Sequence, residues 1–515
     1  MNALMPQWWQ SAYQRAYDAV VSKGRRRNVP VDTRTEDKLL RPLDRDRLTS
    51  IARSLRRNAA EPAWAVRKHL DYVSTFTFQS TTPRRQVDDP AMDDFNRQVE
   101  TLFDWWSRPE NCDVSGRYSL GRMIRMLEEL AVTEGDAFVY KVSSGHFQVI
   151  EGDRVRTPTD WTQYLSDYAL EHPDQGPPSV DFSQYEHGVL KTSSGMPVRY
   201  TICDRDGSIN GFVLRDVVQA TYLDHHNGYT SNYSSFRGVS PLSAAMNTFF
   251  DLYESREYAL AKMKISQILA LKIKHGPGDG SEDSEGTVNF DPNQGSQTIE
   301  LNSDEDASFL ESQQPSTQFQ SFYQVCIAIA LKALDIPYSF YDESHTNYSG
   351  ARQALLQYEQ SCESKRAVLR QILSDLWEWR LQLFIADGDL ILPDGMSIDD
   401  LSFEFIAAGL PWIDPLKEVT ANALAVKSGF KSRQMICKES GDDYYRIVDQ
   451  IAAENEYARL KGINPDIENA TLPQDAIVDG EGAKEADPEQ DAEVQVDVDG
   501  DTKKGMNDVR ANVGN

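Results

Sequence analysis

Apolar positions recur at three- and four-residue steps over the early part of this chain, switch to alternation after Gly135, and return to helical spacing in long runs beyond residue 240. In residues 91–106, Met92, Phe95, Val99, Leu102, Phe103 and Trp106 fall on one face of a predicted helix. Residues 120–132 repeat that pattern after the Ser115-Gly116 break, and a further helix is expected at 44–58. Residues 137–142 and 147–150 flank Ser143-Ser144-Gly145-His146, which predicts a β-hairpin. Residues 197–203 pair in the same way with 211–214 across Asp204-Arg205-Asp206-Gly207. The polar stretch 158–188, broken by Pro and Gly, reads as a variable insertion in this small β-rich subdomain.

The middle of the chain has a different scale. Over residues 241–274, Leu242, Met246, Phe249, Tyr253, Leu260 and Met263 form a stripe interrupted by Arg256, with Glu254, Glu257, Lys262 and Lys264 interspersed. Unbroken, such a helix would be roughly 50 Å long, a stem rather than a core element. The chain returns through Phe319, Phe322, Tyr323, Val325, Cys326, Ile329 and Leu334 to Pro337, which stops the helix. Between Lys274 and Lys332 there is no Lys or Arg but ten Asp and Glu, so this tract reads as the acidic tip of a two-helix hairpin. A polar segment, 341–349, leads into a second long helix over 350–386 carrying Leu355, Tyr358, Cys362, Leu369, Ile372, Leu376 and Leu383. Ordinary core packing accounts for most of these apolar residues.

Composition narrows the class. With 515 residues, 40% of them apolar and 26% charged, the chain can bury a large core and should form more than one domain. The longest apolar stretch near the acidic tract, residues 325–331, is far short of the ~18–20 needed to cross a bilayer, so no membrane span is expected. The N-terminus, with Trp8, Trp9 and Tyr13, lacks the features of an export signal. Five scattered cysteines without CxxC spacing favour free thiols in a reducing compartment. Charge is uneven: the net of −27 includes a basic first 70 residues with 15 Lys and Arg against 7 Asp and Glu, and a tail, 465–515, with 4 against 14. The basic end, with Arg25, Arg26, Arg27, Arg53, Arg56 and Arg57, reads mainly as a solvated face on the helix at 44–58 and an arm, with contact to phosphate or an acidic protein as the alternative. The tail, rich in Asp, Glu, Gly and Ala, is expected to be disordered.

Enzyme signatures are missing. No GxxxxGK[ST] phosphate cradle, GxSxG elbow or HExxH pair occurs, so a motor or hydrolase is not indicated. The run from Asp279 to Glu285 fails as an EF-hand because Ser284 replaces the turn glycine and Phe290 stands at the bidentate position. Adjacent His225 and His226 would point to opposite faces of a strand, which favours structural roles over a shared metal. No cofactor and no metal is expected.

Phe236-Arg237-Gly238-Val239-Ser240-Pro241-Leu242, preceded by His225-His226, resembles the conserved approach to the stem in the lambda-type bacteriophage portal (head-tail connector) family. Asp335-Ile336-Pro337-Tyr338, then Asn347-Tyr348-Ser349-Gly350-Ala351-Arg352 and a long helix with Lys365-Arg366 and Trp377, is similar to a further stretch of that family. So are Pro411-Trp412-Ile413-Asp414-Pro415-Leu416-Lys417-Glu418, Ser428-Gly429-Phe430 and Ser440-Gly441-Asp442-Asp443-Tyr444. The resemblance runs over about residues 90–462 and rests on the order and spacing of these motifs together. The insertion at 158–188 and the acidic tail match no part of it.

The resemblance implies an α+β portal fold with a β-rich wing, a two-helix stem, a small acidic clip and a helical crown, assembled as a ring, usually of twelve subunits (a dodecamer). It implies a basic N-terminal arm and helix at 1–59, a wing at 60–240 continuing over 337–399, stem helices at 241–270 and 318–336, a clip at 271–317, a crown at 400–462 and the acidic tail at 463–515. Within 337–399 it places a tunnel loop at 341–349 ahead of the long helix 350–386. Ser344, His345, Thr346, Asn347 and Tyr348 are then the candidates for brushing double-stranded DNA without reading its sequence, while Asn347 or Ser349 could equally cap the next helix. Asp279, Glu282, Asp283, Glu285, Asp304, Glu305 and Asp306 are the candidate partner-binding acids of the clip. Implied partners are the terminase large subunit, head-completion or adaptor proteins, and major capsid and scaffold proteins, at the portal vertex of a virion after assembly in the host cytoplasm. A channel wall that is acidic lets a polyanion slide, whereas each paired Lys or Arg would hold a phosphate. The competing reading is a virion scaffold or adaptor that does not encircle DNA. A third, a nucleic-acid-processing enzyme, survives only if an unrecognised carboxylate cluster binds Mg²⁺ and cleaves DNA.

Overall fold

The computed structural model describes residues 33–82, 89–174, 180–208, 211–230, 232–267, 271–275, 305–309, 317–342, 348–409 and 415–462. It divides into two compact units, Met1–Ile413 with Ser432–Tyr445, and Asp414–Lys431 with Arg446–Asn515.

The first unit opens with α1 (Glu36–Leu39), α2 (Pro42–Asn58) and α3 (Ala60–Val73). Pro42 sits at the first helical position of α2, Asp44 lies in its first turn and Arg56 and Arg57 in its last, each favourable to the helix dipole. Strand β1 (Phe76–Ser80) leads to α4 (Pro90–Trp106), where the Asp89 side chain accepts from Met92 N at 3.2 Å and Pro90 opens the helix. Met92, Phe95, Val99 and Trp106 are buried, the face expected from their spacing. After α5 (Pro109–Cys112), α6 (Leu120–Glu134) buries Leu120, Met123, Ile124, Leu127 and Ala131.

The expected hairpins both form. Strands β2 (Ala137–Lys141) and β3 (Phe147–Glu151) are antiparallel, with Val139 opposite Val149, and β7 (Leu223–His226) lies on the other side of β2. A second sheet joins β4 (Val189–Lys191), β5 (Pro197–Arg205) and β6 (Phe212–Gln219), with a register shift between Ile202 and Cys203. Strand β5 runs two residues further than the alternation predicts. The insertion at 158–188 contains α7 (Thr162–Glu171), which buries nothing, followed by a 3-10 turn that packs Phe182 and Tyr185 against Cys203 and Leu214. It has a small apolar cluster of its own.

The long run at 241–274 is not one helix. A 3-10 turn at Pro241–Ala244 precedes α8 (Met246–Gln267), and the chain then forms β8 (Leu271–His275), antiparallel to β9 (Glu305–Phe309). Leu271-Lys272-Ile273-Lys274 alternates with a period of two, and pairing to a second strand overrides its helical frame. The helical reading of residues 271–274 is corrected accordingly, while within the span 241–270 the helix runs over Met246–Gln267. The return helix α9 (Thr317–Leu331) ends in a 3-10 turn closed by Asp335, which takes a left-handed φ of 62°. Then α10 (Tyr348–Asp387) extends for 40 residues, roughly 60 Å.

Trp377 of α10 is the hub of the main core. It lies edge-on to Phe103 at 5.1 Å and Phe78 at 5.4 Å, and its ring centroid is 5.7 Å from that of Trp106. Phe78 pairs across the sheet with Phe405 of β10 (Phe403–Ala407), so β1, β10, α4 and α10 meet at one aromatic cluster. Residues 400–462, expected to be helical, therefore begin with a strand paired to β1 before α11 (Pro415–Lys427), α12 (Arg433–Glu439) and α13 (Tyr444–Leu460). The second unit contains α11 and most of α13, and no residue of either helix is buried within it.

Candidate functional site

The Phe236-Arg237-Gly238 segment is densely hydrogen-bonded. Arg237 is 2% exposed, and all five of its N–H donors have partners. Two go to the Asp136 carboxylate, with Nη2 to Oδ1 at 2.9 Å, and the others to the carbonyls of Val155, His187 and Gly152 at 2.6–2.7 Å. Asp136, fully buried at the start of β2, also accepts from His225 Nε2 and from Gly238 N, both at 3.2 Å. Burial alone would raise its pKa, but the Arg237 charge and these hydrogen bonds outweigh it and hold the carboxyl well below the usual range. Desolvation lowers the pKa of His225 despite Asp136, and its ring stacks on Phe138 at 4.3 Å.

A second carboxylate organises the other face of β7. Glu128, on the apolar side of α6 and 0% exposed, accepts from His226 Nε2 and His69 Nε2, each at 2.6 Å, and from the Tyr229 hydroxyl at 2.7 Å. Burial opposes its ionisation, yet the hydrogen bonds from the two histidines lower its pKa far below normal. Adjacent histidines thus serve different carboxylates on opposite faces, as their position on a strand requires. Among the described residues no group of three or more His, Cys, Asp and Glu is arranged to hold a metal ion.

These two networks fix the chain where it enters α8. Ser240 Oγ donates to the Val132 carbonyl at 2.7 Å and accepts from Leu242 N, capping the turn before the helix. Arg45 Nη1 donates to the Gly238 carbonyl at 2.6 Å, and Asp37 accepts from Arg237 N at 3.1 Å. Farther along α8, Arg256, the residue that interrupts the apolar stripe, pairs with Glu61 of α3 at 2.9 Å. Tyr323 of α9 donates to the same Glu61 oxygen at 3.0 Å, so one carboxylate clasps three helices.

The α8–α9 pair has two faces. Phe249, Leu252, Ile327, Ala330 and Leu331 are buried in the core. Tyr258, Phe322, Val325 and Ile329 are 56–73% exposed. A cavity of about 190 Å³ between the helices is lined by Leu252, Phe322, Tyr323, Cys326 and Ile329. No described helix is long and apolar enough to cross a membrane.

Most of the residues expected to meet DNA and partners lie outside the described residues. Ser344, His345, Thr346 and Asn347 lie outside the described residues, and Tyr348 is the first residue of α10. Asp279, Glu282, Asp283, Glu285 and Asp304 also lie outside them, while Glu305 and Asp306 sit in β9, opposite His275 and Lys274 in register. Sequence reasoning missed Glu61, Glu128 and Asp136. Glu128 had a visible signal: an acid in the buried stripe formed by Ile124, Leu127 and Ala131.

The chain matches the family described as "Phage portal protein, lambda family" over residues 22–366. No curated protein matches it. Solved structures of similar shape include a chain of the virion of a native gene transfer agent (GTA) particle, 13% identical with a TM-score of 0.43, covering 80% of this chain and 95% of that one. A chain from the neck of an empty GTA particle computed with C6 symmetry is 14% identical, with a TM-score of 0.44 and coverage of 76% and 93%. The neck of a native GTA particle computed with C12 symmetry gives 13%, 0.43, 76% and 92%.

Proposed function

The chain belongs to the lambda family of phage portal proteins, and on that footing we propose that it forms the ring at the portal vertex of a phage head, a structural connector rather than an enzyme. Twelve copies close around a channel through which double-stranded DNA enters during packaging and leaves on ejection. The force comes from another protein, because this chain has no phosphate cradle. Residues 271–317 form the clip, which docks the terminase large subunit and afterwards the head-completion and tail proteins. Residues 60–240 and 337–399 form the wing, the α8–α9 pair the stem, and residues 400–462 the crown. The loop at 341–349 borders the channel.

The observation that carries this reading beyond family membership is the unpartnered apolar face of α8 and α9. Among the described residues Tyr258, Phe322, Val325 and Ile329 stay exposed, whereas a head-to-tail ring covers them with the next copy. The buried Arg237–Asp136 and Glu128 networks support the same reading. They hold the start of the stem rigidly to the wing, so that identical copies present identical faces. Averaged electron-microscopy images of the purified protein test it: closed rings with an opening wider than the ~20 Å duplex are expected, and monomers, open chains or a solid disc would sink it.

A further inference from the structure

Two adjoining cavities, of about 320 and 540 Å³, open where α2, α3 and α6 meet β3, and they share Arg56, Arg122 and Glu129. Each carboxylate lining them is already engaged. Glu129 pairs with Arg56, Glu151 pairs with Arg154, and Asp113 accepts from the Ser115 hydroxyl and from the amides of Arg117 and Tyr118. Arg67, Arg117 and Arg122, by contrast, are exposed and have no carboxylate partner among the described residues. The floor between them is apolar, with Val66 and Leu70 on one side and Met126, Leu130 and Val149 on the other. A phosphate backbone gains nothing from such a floor, so a ligand that uses both parts carries carboxylates and aliphatic side chains together.

Strand β3 adds a third feature, because it is the edge of its sheet, with β2 on one side and no strand of that sheet on the other. Val142 N donates to the His146 carbonyl to close the β2–β3 hairpin, so residues 148 and 150 exchange the ladder bonds with β2, and 147, 149 and 151 turn their backbone groups outward. Val114 N serves the Phe147 carbonyl at 3.3 Å, but the amide and carbonyl of Val149 have no partner among the described residues. A short stretch of free sheet edge therefore lies inside the arginine-rimmed cleft.

We propose that this cleft docks an extended segment of a partner protein, one that alternates aliphatic and acidic residues and adds to β3 as a strand. Bonds to the Val149 amide and carbonyl set its register, as in other cases of strand addition to a sheet edge. Its aliphatic side chains lie on the same face as Val149 and cover Met126 and Leu130, while its carboxylates reach Arg67, Arg117 and Arg122. The free edge is short, so the arginines select the segment and the apolar floor holds it. The residues that form the cleft all belong to the first compact unit. The inference goes beyond the connector reading and does not require a ring, since each copy carries the whole cleft.

Fluorescence anisotropy of a short labelled peptide that alternates Val with Glu, titrated with the full-length protein, tests it. Saturable binding is expected, and a peptide of the same composition with its Val and Glu in two separate blocks should bind at least about tenfold more weakly. The double variant R67E/R122E, which alters two exposed side chains, should weaken binding by at least about tenfold, and a peptide with Lys in place of Glu should recover affinity for that variant. N-methylation of every Val amide, or of every Glu amide, separates strand addition from charge attraction: one set should abolish binding and the other leave it within about threefold, because alternate amides face β3. No saturable binding overturns the proposal. So does binding that survives R67E/R122E, that is equal for the block peptide, or that neither N-methylated set disturbs. A short DNA duplex that displaces the peptide and loses affinity in R67E/R122E also overturns it, assigning the arginines to nucleic acid.

Discussion

Gly135 and Gly238 meet backbone to backbone: a β-carbon placed on Gly238 would lie 2.0 Å from the Gly135 carbonyl oxygen. A β-carbon on Gly135, whose φ is 102°, would lie 2.6 Å from the Gly238 carbonyl oxygen. This crossing lets the end of α6 and the start of β2 lie against the segment leading into α8, which brings Arg237 onto Asp136. The glycine after Arg237 is thus a packing requirement. Gly238→Ala is expected to destabilise the protein by about 2–3 kcal/mol, because neither opposing atom belongs to a movable side chain. Denaturant unfolding measures it; a loss below about 0.5 kcal/mol would show that the two segments can separate freely.

Arg237→Met leaves a buried carboxylate with only His225 and the Gly238 amide. A loss of about 3–5 kcal/mol is expected, since the remaining charge stays desolvated. Arg237→Lys should recover only a small part of it, because an ammonium cannot serve two carboxylate oxygens and three carbonyls in one plane. Thermal unfolding of the two variants beside the parent distinguishes a planar, five-donor requirement from one for charge alone.

Acid should weaken the same region. Asp136 and Glu128 have folded pKa values below their unfolded ones, so each contributes stability that is present above the ordinary carboxylate range and is lost as pH falls below it. His225, depressed by burial, acts in the same direction from its ordinary value of 6.5 downward, because the unfolded state takes up the proton first. The melting temperature is therefore expected to fall from pH 7 to pH 4, and Glu128→Gln to lower it at pH 7 while flattening the dependence below about pH 4.5. An unchanged slope in Glu128→Gln would remove Glu128 from the account.

The clasp at Glu61 predicts a graded series. Glu61→Ala strands both the Arg256 guanidinium and the Tyr323 hydroxyl and should cost about 1–2 kcal/mol. Arg256 is 39% exposed by side chain, so Arg256→Ala should cost less, about 0.5–1 kcal/mol. Equal losses from the two variants, measured by denaturant midpoint, would mean that Tyr323 takes no part.

Val325→Asp and Ile329→Asp change side chains that are 56% and 57% exposed. Each is expected to leave the stability of the isolated chain within about 0.5 kcal/mol of the parent and yet to prevent ring closure. Light scattering on the eluted protein reads both the mass and the loss of the assembled species. Rings that form normally from either variant would place the subunit interface elsewhere.

Much of the architecture was legible because it rests on local periodicity. The helices expected at 44–58, 91–106, 120–132 and 350–386 form within a few residues of those bounds, as do the two hairpins, because they follow from spacings of three to four or of two. The error at 241–274 arose where a helical stripe gives way to alternation within a few residues. There the partner strand, 30 positions downstream from His275 at Glu305, decides the outcome. Of the candidate site, the Arg237-Gly238 motif was visible as a pattern, but its reason was not.

The sequence by itself determined the family, the charge asymmetry and most element types, since these depend on residue type and near neighbours along the chain. Only the tertiary structure decided that His225 and His226 answer to different carboxylates, that Glu128 and Asp136 are fully buried, and that Gly238 must lack a side chain. Each of those depends on groups brought together from about a hundred residues apart. A charge is removed from water only when folding encloses it, and no local pattern states which partner will then be near enough to pair with it.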